Sequence, residues 1–116
     1  MTAKKTSPAS EALAAFCAKC CEDKKAEGIV MLKIAEGAAP ADYFLICTVD
    51  STPQLRAVAD FVERSVRESM NLHPRRVAGE ADSGWVILDF SDVIVHVMTA
   101  ETRARYALER LWGAEE

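Results

Sequence analysis

Apolar residues along this chain fall into continuous runs and into stripes, and the two spacings predict a mixed fold. Residues 85–98 read W-V-I-L-D-F-S-D-V-I-V-H-V-M, two apolar runs (85–90 and 93–98) on either side of Ser91 and Asp92. Short runs rich in β-branched and aromatic residues, parted by turn formers, predict adjacent strands of a hairpin. The second run is interrupted only by His96, so it predicts a strand covered on both faces and central in a sheet. Residues 29–34 predict another strand. Tyr43–Val49 predicts a further one, nearly continuous and therefore also central. Residues 36–42 hold Gly37 and Pro40 and are expected to form a loop.

Elsewhere the period changes to that of a helix. Leu13, Phe16, Cys17 and Cys20 lie at i, i+3, i+4 and i+7, an amphipathic stripe, with Lys19, Glu22 and Lys24 opposite. Ser7 or Ser10 can cap this helix, Pro8 suits its first turn, and Gly28 is expected to stop it. Asp50-Ser51-Thr52-Pro53 predicts a second helix start, a hydroxyl cap followed by proline at the first helical position. Leu55, Val58, Ala59, Val62 and Val66 make the buried stripe of a helix ending near Met70, with Asn71 and Pro74 closing it. Its other faces carry Arg56/Asp60, Asp60/Arg64, Glu63/Arg67 and Arg64/Glu68. Each pair contributes only about 0.2–0.5 kcal/mol, which describes a solvated face rather than a site. Residues 75–80 predict a short edge strand and 81–84 a polar turn. Thr99 can cap a last helix, with Tyr106, Leu108, Leu111 and Trp112 as its apolar contacts.

The predicted order is α-β-β-α-β-β-β-α. Helices placed between strands exclude a simple meander and favour an α/β (α+β) domain, one mixed sheet of about five strands flanked by helices. A length of 116 residues suits a single domain. Residues 1–9 are expected to be a flexible tail and 10–116 the folded domain.

Charge and composition then narrow the function. A formal net charge of −4 argues against direct, specific nucleic-acid binding, which needs a basic footprint. No run approaches the roughly 18 apolar residues of a membrane span, and no signal core follows the first lysines. A cytoplasmic protein is expected. Cys17 and Cys20 form a C-x-x-C, which could be a redox pair or half a zinc site. The motif falls mid-helix, however, and the only histidines, His73 and His96, are far apart in the chain. Cys17, Cys20, Cys21 and Cys47 are therefore expected to be buried free thiols.

An enzyme would have to work from Asp42, Asp89, Asp92 and His96. Two carboxylates near a hairpin tip could hold a divalent cation for nucleotide chemistry. There is no phosphate-cradling glycine loop and no third carboxylate at a matching spacing. Ser51 and Ser83 have no partner base nominated by spacing. His96, amid apolar neighbours, reads as a hydrogen-bonded structural residue. No catalytic residue, metal or cofactor is assigned. A binding surface uses the same residues better. Trp85 and Phe90 are anchors of the kind that dominate interfaces. An acidic rim of Asp82, Asp89 and Asp92 would suit a basic partner. Trp85 could equally be a core residue with the aspartates as turn formers, whereas Phe90, beside the turn, is expected to be exposed. Arg75-Arg76 reads as a solvated strand start, with a phosphate contact as the sharper alternative.

Several motifs in order carry a resemblance. D-Y-F-L-I-C-T at residues 42–48, Q-L-R-A-V-A-D at 54–60, G-x-x-x-x-G-W-V-I-L-D-F-S-D-V-I-V-H-V-M at 79–98 and R-x-x-Y-A-L-E-R-L-W at 103–112 resemble the ribosomal silencing factor family, also called Iojap-like proteins. The likeness covers nearly the whole chain after the first ten residues or so. It implies a nucleotidyltransferase-like fold without the catalytic motif, and a non-enzymatic bacterial repressor of translation. Such a repressor would bind the large ribosomal subunit through ribosomal protein fourteen of that subunit and sterically prevent subunit association when nutrients run low. The partner-contacting residues implied are Trp85, Asp89 and Phe90, with Asp92 supporting the turn or rim; a homodimer is a further implied partner. One departure stands out: the family usually has glycine where this chain has Ser91, so a mildly strained turn is expected there.

Overall fold

The helices begin and end where their terminal backbone groups find partners, and the computed structural model, which describes residues 8–34, 37 and 41–106, shows how. In order the elements are α1 (Pro8–Asp23), β1 (Glu27–Lys33), β2 (Tyr43–Val49), α2 (Thr52–Met70), β3 (Arg76–Glu80), a 3-10 turn at Ala81–Ser83, β4 (Trp85–Asp89), β5 (Val93–Thr99) and α3 (Ala100–Tyr106). This is the predicted order. The Ser51 hydroxyl accepts the Gln54 N–H at 3.2 Å and caps α2, which makes Pro53 the second helical residue rather than the first. At the other end Asn71 is left-handed, φ 56°, and its N–H donates to the Arg67 carbonyl at 3.0 Å.

α1 stops earlier than its sequence suggested. The Ala26 N–H donates to the Cys21 carbonyl and the Lys25 N–H to that of Glu22, each at 3.0 Å, with Lys25 at φ 69°. These are the two bonds of a Schellman ending, and Lys25 takes the left-handed position usually held by glycine. Gly28, expected as the stop, instead lies within β1 at φ 56°. Ser10 is not a cap either: it is buried inside α1 and donates to a carboxylate oxygen of Asp42 at 2.6 Å. Ser7, most of the 36–42 loop, Leu108, Leu111 and Trp112 lie outside the described residues.

The strands form one mixed sheet in the order β1-β2-β5-β4-β3, with β2 and β5 parallel and the other pairs antiparallel. β5 is central and β3 an edge, as predicted. Strand alternation sorts the side chains onto two faces. Tyr43, Leu45, Cys47 and Val49 of β2, Val93, Val95 and Val97 of β5, and Val86 and Leu88 of β4 join one core with Leu13, Cys17, Cys20 and Cys21 of α1 and the predicted stripe of α2. Phe44, Ile46 and Met98 point the other way and cluster with Leu32, Ile34 and Ala41, with Val30, Trp85 and Ile94 packed at their margin. All four cysteines are buried free thiols. Burial raises the thiol pKa of Cys17 and Cys20, and the contact with Cys47 together with burial raises that of Cys21, so these groups stay protonated.

Candidate functional site

The predicted hairpin is present, and its two ends are built differently. At the tip, Asp89 pairs with Ile94, and the Phe90 N–H donates to the Val93 carbonyl at 2.9 Å, leaving Ser91 and Asp92 as a two-residue loop. Ser91 has φ 76°, so its backbone is left-handed, the mildly strained turn expected at this position. Asp89 supports this strained turn: its Oδ1 accepts the Ser91 N–H at 2.8 Å. Its Oδ2 accepts from the Arg75 guanidinium at 3.1 Å, and the side chain is only 14% exposed. The Asp92 carbonyl accepts the N–H groups of Asp42 and Tyr43 at 2.7 and 3.1 Å, which ties the tip to β2, while the residue itself is exposed.

At the other end, two glycines set the entry to Trp85. Gly79 and Gly84 have φ of 82° and 85°. A Cβ on Gly79 would lie 2.2 Å from the Trp85 carbonyl oxygen, and one on Gly84 would lie 2.7 Å from the Thr102 hydroxyl. Neither position admits a side chain without moving its neighbours. The Thr99 N–H then donates to the Gly84 carbonyl at 3.0 Å and holds this end against β5. Thr99 also caps α3, its hydroxyl accepting the Thr102 N–H at 3.3 Å.

Alternation along β4 separates the residues that the sequence grouped together. Trp85, Ile87 and Asp89 lie on the face away from α1 and α2, all partly exposed. Phe90 is 8% exposed and belongs to the helix-covered core, so the expectation of an exposed Phe90 fails. It lies outside the strand, where it closes the end of the core instead of facing solvent. The acidic rim is also thinner than expected, because Asp89 is paired with Arg75 and Asp82 lies 3.7 Å from Arg56. Arg75 is thus an ion-pair partner at the strand start rather than a free phosphate contact.

The open face has members that the sequence reading did not place there. Ile87 lies between Trp85 and Asp89, and Ile94 opposite Asp89, both partly exposed. Tyr106 of α3 is 49% exposed, and its ring lies 4.8 Å from that of Trp85, centroid to centroid. Period-two counting from Trp85 would have found Ile87. Nothing in the local pattern could have found Tyr106, because its position depends on how α3 folds back.

His96 is buried beneath this face. Its Nδ1 accepts the Trp85 indole N–H at 3.1 Å, in keeping with the structural role read from its apolar surroundings. Burial lowers its pKa to about 4, so the ring is neutral at ordinary pH. Asp89 has both carboxylate oxygens engaged and is poorly suited to a cation, and among the described residues no group of three or more His, Cys, Asp or Glu could hold one. Among the described residues no helix is long and apolar enough to cross a membrane.

Comparison with known proteins follows the same outline. The family model described as "Ribosomal silencing factor during starvation" matches residues 7–116. The ribosomal silencing factor of Halalkalibacterium halodurans is 39% identical over 92 residues, covering 79% of this chain and 78% of the relative. That of Bacillus subtilis is 38% identical over 96 residues, covering 83% and 80%. A crystal structure of a Chromobacterium violaceum protein superposes with a TM-score of 0.84 at 27% identity, covering 91% of this chain and 88% of that one.

Proposed function

The chain belongs to the ribosomal silencing factor family, and from that premise we propose that it represses translation in the bacterial cytoplasm by occupying the large ribosomal subunit and blocking subunit association. The docking partner in this reading is ribosomal protein fourteen of that subunit. The observation that carries the proposal is the open face of β4, where Trp85, Ile87 and Tyr106 form a partly exposed aromatic and aliphatic surface on the side of the sheet away from α1 and α2. Aromatic anchors on a rigid sheet are the groups on which interface energies concentrate. With a net charge of −4 the chain is poorly matched to ribosomal RNA and better matched to a basic ribosomal protein.

Within this reading Trp85 is the anchor and Asp92, exposed at the tip, offers a carboxylate to a basic partner. Asp89 contributes chiefly by holding the tip and its ion pair, and Phe90 supports the strand from the core side. Repression then requires occupancy and no bond-making, so no catalytic group is involved. Free factor at about tenfold above its dissociation constant would leave roughly a tenth of subunits open.

Sucrose-gradient profiles of reassociating ribosomal subunits test the proposal directly. Adding the protein should shift material from joined ribosomes to free subunits, and the protein should cosediment with isolated large subunits. Protein that stays in the supernatant at micromolar concentration rules the reading out. Trp85→Ala should abolish cosedimentation while circular dichroism stays unchanged; retained binding would move the contact elsewhere. A homodimer burying the same face would show itself as concentration-dependent loss of subunit binding.

A further inference from the structure

His96 is a costly residue for its position. It is 5% exposed in the central strand, and its neighbours on that face are Phe44, Ile46, Ile94 and Met98. Because Nδ1 accepts the Trp85 indole N–H at 3.1 Å, the ring proton must sit on Nε2. Among the described residues that buried Nε2 has no hydrogen-bond partner. A buried donor left unpaired costs stability, and a leucine in the same place would avoid the cost. What the histidine supplies in return is the acceptor for Trp85.

The geometry around that bond is specific. His96 pairs with Ile87 and Trp85 with Met98, so the two rings are diagonal neighbours on adjacent strands, a separation that aromatic side chains span. The His96 ring is itself held between Phe44, at 4.9 Å, and Trp85, at 5.9 Å between centroids. Trp85 meets Tyr106 at 4.8 Å. A side chain packed only by ring contacts can slide and turn; one hydrogen bond at the indole nitrogen defines which edge faces inward and which surface faces out. We infer that His96 is a positioning residue for partner binding, whose Nδ1 locks the Trp85 indole in the orientation it offers at the open face. This rests on the reading that Trp85 is the contact with the large subunit, and adds to it a buried residue that touches no partner.

Two measurements decide it. Long-range nitrogen–proton NMR spectra of the wild-type protein should show His96 as the Nε2–H tautomer; the Nδ1–H tautomer overturns the inference, and this needs no variant that might fail to fold. Cosedimentation titrations with purified large subunits then compare wild type with Trp85→Ala, Trp85→Phe, His96→Phe, His96→Asn and the double variant Trp85→Phe/His96→Phe. Loss of the single acceptor should weaken binding roughly fivefold to tenfold in His96→Phe. His96→Asn, whose Oδ1 stands close to where Nδ1 was, should recover most of that affinity. In the Trp85→Phe background, which has no indole N–H, His96→Phe should cause no further loss. An equal loss in both backgrounds, or wild-type binding by His96→Phe, overturns the positioning role. If Trp85→Ala itself binds like wild type, the contact reading falls and the inference with it; if Trp85→Ala fails and His96→Phe does not, only the inference falls.

Discussion

Along β4 and just beyond it, neighbouring residues belong to two different surfaces. Val86, Leu88 and Phe90 join the core beneath α1 and α2, while Trp85, Ile87 and Asp89 stand on the face that those helices leave open. The first group buries apolar area against elements from distant parts of the chain, which is where the stability of a small domain arises. The second buries part of its surface and keeps part free. The difference shows how a strand can carry a scaffold and a contact surface at once: a period of two lets one face change with little disturbance of the other.

The strongest test of this division sets Phe90 against Trp85. Phe90→Ala should cost about 3–5 kcal/mol, as for a large aromatic removed from a packed core, read as a lower midpoint in chemical denaturation. Trp85→Ala should cost clearly less stability and yet lose subunit binding. Equal destabilisation by both would mean that the two faces are not distinct in role.

The next effect comes from His96. Its pKa is lowered by burial to about 4, against an ordinary value of 6.5. Above pH 6.5 neither state carries the proton and the group contributes fully to stability. As pH falls from 6.5 to about 4 the unfolded chain takes up a proton that the folded chain excludes, so stability declines, by on the order of 3 kcal/mol, and levels off below. Denaturation midpoints of wild type and His96→Asn across that window should converge as the pH drops. Parallel curves would show that His96 is not held neutral.

Asp89 sharpens the comparison on the open face itself. With one oxygen on the Ser91 N–H and the other on Arg75, Asp89→Ala should destabilise by about 1–2 kcal/mol in a thermal melt, more than Arg75→Ala at below about 1 kcal/mol. A neutral result would return Asp89 to the role of contact residue. The smallest effect is a gain. Ser91→Gly removes the left-handed strain at φ 76° and, after the extra freedom of an unfolded glycine is subtracted, should stabilise by about 0.5–1 kcal/mol.

Much of the architecture was legible in the chain because it follows from local rules. The Ser51 cap, the Leu55–Val58–Ala59–Val62–Val66 stripe, the Asn71 stop, the central position of β5 and the edge position of β3 each rest on propensity, period or hydrophobic continuity. The misreadings have local causes too. Lys25 ended α1 because a Schellman ending needs a left-handed residue and does not strictly need glycine. Gly28 was free to enter β1, and Ser10, expected as a cap, was drawn into a buried bond with Asp42, thirty-two positions away.

By itself, then, the sequence determined the elements, their order and the family, since these depend on residues close together in the chain and on motifs in fixed succession. Tertiary structure decided which side chains share a surface. It sent Phe90 into the core, paired Asp89 with Arg75, brought Tyr106 onto Trp85 and placed the His96 nitrogen against the indole. None of these is a local property. Each depends on strand register and on where α3 returns, and register is set by the packing of the whole sheet against its helices.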